Sequence, residues 1–159
     1  PAQAKIAYEM LRAAGVPCLI SQYRYSMFDR TVEEKSLPLA AEQGSGFIAF
    51  SPLAQGLLTK KYLHGIPEHS RAARSTGFLK VDQVTEDKVG KARRLDEIAA
   101  RRGQTLAEMA LAWVLKDERM TSVIVGTSSV KQLADNLHAL DNLNFTNEEL
   151  AEIEGILRL

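Results

Sequence analysis

The sequence predicts an α/β fold built on a parallel sheet, specifically part of a (β/α)8 barrel with about three parallel strands and flanking helices. Helical and strand signals alternate from the first residues almost to the last, in the order α-β-α-β-α-α-β-α-α, which requires crossover connections and a parallel sheet. The three apolar runs of strand length are too few for a closed barrel, which needs eight strands and typically about 250 residues, against 159 here. No G-x-G-x-x-G follows a strand signal, so a dinucleotide-binding Rossmann half is disfavoured.

Pro1 suits a first helical turn, where its missing N–H costs nothing. Ile6, Ala7, Met10, Leu11 and Ala14 then give one apolar stripe at helical spacing, with Gly15 as the stop. Val16-Pro17-Cys18-Leu19-Ile20 reads as a strand buried on both faces. Polar residues 22–31 lead to a helix expected over Val32–Gln43, with Leu37, Leu39, Ala40 and Ala41 apolar and Pro38 a kink or delay. Gly44 and Gly46 end it, and Phe47-Ile48-Ala49-Phe50 is the second strand. Residues 51–84 are irregular, and a loop of that length in a compact domain is usually functional. Thr85 caps a helix to Arg102, closed by Gly103. Thr105-Leu106-Ala107-Glu108 is a capping box for a helix to about Lys116, where Leu111, Trp113, Val114 and Leu115 are core. Ser122-Val123-Ile124-Val125 is the third strand, followed by Gly126-Thr127-Ser128-Ser129 and a helix to Leu140. Thr146 opens the last helix, with Leu150, Ile153, Ile156 and Leu157 as its stripe.

With 20 basic and 20 acidic residues the net charge is zero, so nothing points to nucleic acid or to an oppositely charged partner. The apolar runs fall far short of the roughly 20 residues that span a bilayer, and no secretory leader is legible. The single cysteine, Cys18, excludes an internal disulfide and reads as buried filler. No ligand spacing for zinc or iron exists. A cytoplasmic protein is the expectation. The chain begins without Met, inside a helical pattern, which leads to the expectation of a fragment.

In barrels, functional residues follow the C-terminal ends of strands, so three segments matter: Gln22–Arg30, Phe50–Arg71 and Gly126–Asn136. The last sends a strand into Gly-Thr-Ser-Ser and a helix, leaving backbone N–H groups at a positive helix end suited to an anion; the alternative is a plain helix cap. Gln132, Asp135 and Asn136 follow on that helix, able to hydrogen-bond a sugar or base edge. In the second segment an aromatic at a strand mouth, Phe50, precedes a basic loop with Lys61, His69 and Arg71. Such a pair could stack a flat ring and clamp phosphates, or be a core Phe and a solvated loop. Lys61-Tyr62-Leu63-His64 has no fixed geometry for acid–base work. Gln22, Tyr23, Tyr25 and Arg30 are strand-end residues whose aromatics suit packing, and His138 suits a surface.

Together these runs resemble a known family. Gln22-Tyr23-Arg24-Tyr25-Ser26-Met27-Phe28-Asp29-Arg30 resembles the Q-x-x-Y-x-x-x-x-R signature of aldo-keto reductases. Phe50-Ser51-Pro52-Leu53-Ala54-Gln55-Gly56-Leu57-Leu58-Thr59-Lys60-Lys61-Tyr62 resembles their aromatic-S-P-L-A-x-G-x-L-[ST]-x-K-Y run. Ile124-Val125-Gly126-Thr127-Ser128 through Gln132-Leu133-x-x-Asn136 resembles their motif after the last barrel strand. The nearest branch resembles bacterial L-glyceraldehyde-3-phosphate-reductase-like enzymes, close to the β subunits of voltage-gated potassium channels.

The resemblance implies that residues 1–159 are the C-terminal part of the barrel. It further implies an NADP(H)-dependent reductase of aldehydes or ketones, with NAD(H) left open because Lys131 is the only cation near the expected 2′-phosphate. Gln22 would hold the nicotinamide carboxamide and Phe50 would stack on the ring. Ser51, Pro52, Leu53, Gln55 and Lys61 would bracket the pyrophosphate, with Arg71 closing over it. Gly126 and Ser128 would meet the adenosine ribose and its phosphate; Gln132, Asp135 and Asn136 would complete the adenine end. The family's Asp, Tyr, Lys and His tetrad would lie upstream of Pro1, leaving no catalytic residue in this chain and an inactive piece. A small carbonyl compound is the implied partner. Two alternatives stand beside this: a nicotinamide-binding regulatory subunit, and a fragment that pairs with its own copy to cover exposed strand edges.

Overall fold

In the computed structural model β1 (Ile20–Arg24), β2 (Gly46–Phe50) and β3 (Met120–Ile124) form one parallel sheet in that order. The structure describes residues 2–68, 70, 72, 73 and 79–159; Pro1, expected at a helix start, and His69 and Arg71, expected in the basic loop, lie outside them. The helices are α1 (Ala2–Ala13), α2 (Ser36–Glu42), α3 (Glu86–Arg101), α4 (Leu106–Leu115), α5 (Val130–Leu137) and α6 (Asn147–Arg158). This is an α/β fold with an open parallel sheet, the architecture of a partial (β/α)8 barrel.

Register decides what each face does, because paired residues on neighbouring strands point to the same side. Gln22 pairs with Ile48 and Ile48 with Ser122; Arg24 pairs with Phe50 and Phe50 with Ile124. That face is open to solvent or half-covered. The opposite face carries Tyr23, Phe47, Ala49 and Val123, joined to the core made by α3, α4 and α6. There Tyr23 stacks on Phe47, with centroids 5.2 Å apart and planes 9° from parallel. Thr85, Thr105 and Thr146 each accept a backbone N–H at their helix starts, and Glu108 and Glu149 complete two capping boxes. Local signals of this kind act before any packing. Seven residues of α4 are buried, so it is the central helix of the core.

Five expectations need correction. The strand expected at Val16–Ile20 begins at Ile20, and Val16 and Leu19 are exposed. Pro17 has no N–H to give a ladder, and β2 meets this segment only at its end, where Gly46 N donates to the Leu19 carbonyl at 2.8 Å. On α1 the expected stripe through Ile6 and Met10 faces outward, 55% and 68% exposed. Tyr8 is buried instead, its hydroxyl 2.5 Å from Ser21 Oγ. Helix α2 starts at Ser36 rather than Val32; Pro38 falls in its first turn, where no intrahelical N–H is required. Helix α5 ends at Leu137 and continues as a 3-10 turn over His138–Asp141. Cys18 is only partly buried.

The loop after β1 is fastened to α4 and α6 by a polar cluster. Arg30 donates to Glu33 at 2.8 and 2.9 Å and also to Glu154. Tyr25, fully buried, donates to Glu33 at 2.8 Å, and burial together with that bond pushes its hydroxyl far above the usual range. Trp113 is the hub. Arg30 lies 5.3 Å and the Lys116 ammonium 3.9 Å from its ring, with Tyr25 at 5.7 Å. Tyr25 and Arg30 are thus structural residues.

Hydrogen bonds from Arg30 hold Glu154 below the ordinary carboxylate range, and those from Arg119 do the same for Asp117. A carboxyl depressed in the fold adds stability above its unfolded pKa and loses it as pH falls through the folded value. Unfolding in urea should therefore need less denaturant below about pH 4 than at neutrality. Arg30→Ala should cost about 1–2 kcal/mol at pH 7 and flatten that acid loss. Equal pH sensitivity in both proteins would show that the cluster is not its source.

Candidate functional site

The C-terminal ends of the three strands lie along one edge of the sheet, as parallel pairing demands. Gln22 and Arg24 on β1, Phe50 on β2 and Ile124 on β3 all project from the open face. Gly126 stands two residues past Ile124, so three segments far apart in sequence are neighbours here. Phe50 keeps 36% of its surface exposed, so its ring stays open at the mouth of β2.

From this edge a cavity of about 480 Å³ runs between two walls. One wall is the loop after β2, giving Ser51, Pro52, Leu53, Gln55 and Lys61; the other is the turn after β3, giving Gly126, Ser128 and Gln132. All eight were singled out from sequence. Gln22 and Phe50 stand at the strand ends beside the cavity without lining it. Asp135 points elsewhere, its carboxylate 2.8 Å from Lys131 one turn earlier on α5. Asn136 is buried, and its amide has no hydrogen-bond partner among the described residues.

The loop wall has an unusual backbone. Ser51, Ala54 and Gln55 all adopt left-handed φ values of 55°, 47° and 58°, a region that costs a non-glycine residue roughly 1–2 kcal/mol. Gly56 follows at φ 102°, where an added Cβ would also lie 3.3 Å from the Tyr62 ring. Three strained residues within five, on a cavity wall, are a reason to look for a ligand. Thr59 fixes the far end of this wall. Its hydroxyl donates to the Gly56 carbonyl at 2.7 Å and accepts from Lys61 N at 3.2 Å, so the turn bearing Lys61 is held in place. Tyr62 is buried, its hydroxyl without a partner among the described residues, while His64 is exposed; these neighbours make no acid–base group.

The second wall is a positive helix end. Ser129 caps α5 by accepting from Gln132 N at 3.2 Å. Gln132 reaches back to accept from Ser128 N at 2.9 Å and from Ser128 Oγ at 3.1 Å. The N–H groups of Gly126 and Thr127 find no acceptor among the described residues. Together with the adjacent helix end they favour an anion. Sequence reasoning missed Thr59, Gly56 and Thr127 as cavity residues. A threonine two residues before a lysine is a small capping pattern that could have disclosed Thr59. Among the described residues no group of three His, Cys, Asp or Glu side chains could hold a metal, and no helix is long and apolar enough to cross a membrane.

Comparison with known proteins places this geometry. The sequence model of the aldo/keto reductase family matches residues 2–158. The chain is 46% identical over 158 residues to the L-glyceraldehyde 3-phosphate reductase of Escherichia coli O157:H7, and 44% identical over 158 residues to that of strain K12. The matches cover 97% of this chain and 46% of each relative, so the chain spans about half the length of the curated relatives it matches.

The loop geometry can be tested without any ligand. Gln55→Gly should raise the unfolding free energy by up to about 1 kcal/mol, the left-handed cost less the greater freedom of glycine in the unfolded chain. Urea unfolding reads it, and a destabilised variant would mean that the Gln55 side chain contributes more than its backbone costs.

Proposed function

Since the chain belongs to the aldo/keto reductase family, we propose that it is the cofactor-holding portion of a nicotinamide-dependent reductase of aldehydes or ketones. The observation that carries this is the two-walled cavity, with N–H groups that find no acceptor among the described residues at a helix start on one wall, and a part-exposed aromatic ring at the strand end beside it. An extended dinucleotide has that pattern of needs: a flat ring, a pyrophosphate and a ribose bearing a second anion.

The residues present fit such a group. Phe50 offers its face to a nicotinamide, and Gln22, on the same side of the sheet, offers an amide to the carboxamide. Ser51, Leu53, Gln55 and Lys61 bracket the pyrophosphate, with Pro52 setting the loop's direction and the Lys61 ammonium supplying charge. Gly126 and Ser128 take the ribose end, and Gln132 is pre-set by its bonds to Ser128. Asn136, on the same helix, offers its amide to the adenine edge; Asp135 acts through Lys131, the nearest cation to the ribose phosphate. NADP(H) is favoured by that cation. The bound cofactor supplies the hydride, and this chain's part is to bind it, orient its ring and shield it from water.

In this reading the chain contributes the cofactor cradle, and the resemblance assigns the protonation of the carbonyl oxygen to none of the residues matched here. The two relatives are named for reducing L-glyceraldehyde 3-phosphate, and a small aldehyde is the proposed substrate here.

Titration of the chain with NADPH, followed by cofactor fluorescence, should give saturable binding that Gln132→Ala weakens by about tenfold, the value of one lost polar contact in a pre-set site. The same samples should show no NADPH-dependent loss of absorbance with aldehydes. Unchanged affinity in the variant would remove Gln132 from the site, and turnover by the isolated chain would overturn the division of labour.

A further inference from the structure

The strained loop Ser51–Gln55 has a second side. Ser51 and Gln55 line the large cavity and also a smaller one of about 210 Å³, whose other walls include Arg24 and Ser26 from the end of β1 and Lys88 from α3. Arg24 is the strand neighbour of Phe50, so this smaller cavity opens beside the exposed ring. Its volume is several times the share of about 30 Å³ that one liquid water takes. A phosphate with a few carbon atoms fits; a dinucleotide does not.

The charges there are unevenly matched. Arg24 Nε donates to Asp29 at 2.5 Å, and Asp29 also accepts from the Thr31 hydroxyl at 2.9 Å. The carboxylate is therefore occupied, and its effect is to anchor the guanidinium. The two terminal nitrogens of Arg24 have no partner among the described residues, and 61% of the side chain stays exposed. Lys88 Nζ has one weak contact, 3.4 Å from the Gln83 carbonyl. Ser26 Oγ accepts from Phe28 N at 3.2 Å, and its hydroxyl hydrogen finds no acceptor among the described residues. A cavity wall with a forked guanidinium, an ammonium and a hydroxyl, all with donors to spare, and one carboxylate already engaged, is built for an anion of phosphate shape.

We infer that this cavity is the subsite for the phosphate of a phosphorylated small aldehyde, and that Arg24 is the residue that selects such a substrate. The inference rests on the cofactor reading above, since only that reading makes the neighbouring ring end the place where a carbonyl is reduced. The loop Ser51–Gln55 then separates cofactor from substrate and touches both.

Amide and arginine side-chain NMR spectra of the whole chain, titrated at constant ionic strength with glycerol 3-phosphate and in parallel with glycerol, provide the test. The expected result is saturable shifts at Arg24, Ser26 and Lys88 with the phosphate alone. NADPH should shift a separate set around Ser128 and Gln132 without displacing it. Arg24→Ala should weaken glycerol 3-phosphate by about tenfold or more, Arg24→Lys by less, and Lys88→Ala in the same direction; none should change NADPH affinity more than twofold. Arg24 is exposed, so the variants keep the fold, and their unchanged remaining spectrum checks this. NADPH binding with no response to glycerol 3-phosphate overturns the subsite and leaves the cofactor reading standing. Displacement of glycerol 3-phosphate by NADPH overturns it too, by giving the cavity to the cofactor. Shifts around Arg24 with none around Gln132 on adding NADPH would instead overturn the cofactor reading, and the substrate role with it.

Discussion

Everything at the site depends on β2 pairing in parallel with both neighbours. Parallel pairing puts the C-terminal ends of strands on one edge, and the register Arg24–Phe50–Ile124 puts those three residues in one row on one face. A one-residue slip would turn Phe50 into the core and Ala49 outward. Burial guards against this: Phe47 and Ala49 are fully covered, and Phe47 is stacked on Tyr23. Thr121 adds a second lock, its hydroxyl accepting from Phe47 N at 3.1 Å where the β2–β3 register shifts. The same contacts that make the core thus aim the exposed ring.

Much of this was legible in the sequence, for a physical reason. Helix starts are written locally: Thr85, Thr105, Ser129 and Thr146 cap where the pattern places them, because a hydroxyl reaches only the next turn. The cavity residues were legible through resemblance, and eight of them do meet around one space. What the sequence concealed depends on partners far along the chain. Val16–Leu19 are apolar enough for a strand, but β2 begins only where Gly46 N meets the Leu19 carbonyl, too late to pair the residues before it. Ile6 and Met10 have helical spacing, yet the bond from Tyr8 to Ser21 turns the helix so that another face is buried. Hydrophobic period reports that a stripe exists; a distant contact decides which stripe is covered.

The polar cluster around Trp113 shows the same division. Arg30 and Tyr25 carry part of the motif that identifies the family, and neither reaches the cavity. Their bonds to Glu33 and Glu154 and their contacts with Trp113 fix the loop that follows β1. A motif residue can be required because it positions the segment that carries the functional one. Asp29 sits between these anchors and Arg24 directly before the first, so the guanidinium proposed to read a phosphate is tied through Asp29 to a short, well-fastened loop.

The loop Ser51–Gln55 is where the two cavities meet, and its strain has a use. Left-handed residues let the chain reverse within a few residues, which keeps the wall between the cavities one strand thick. A relaxed loop would need more residues to make the same turn and would fill one of the spaces. Gln55 keeps a side chain at a position that glycine would occupy more easily, and that side chain lines both cavities. A ligand that shifts Gln55 in one cavity therefore changes the shape of the other.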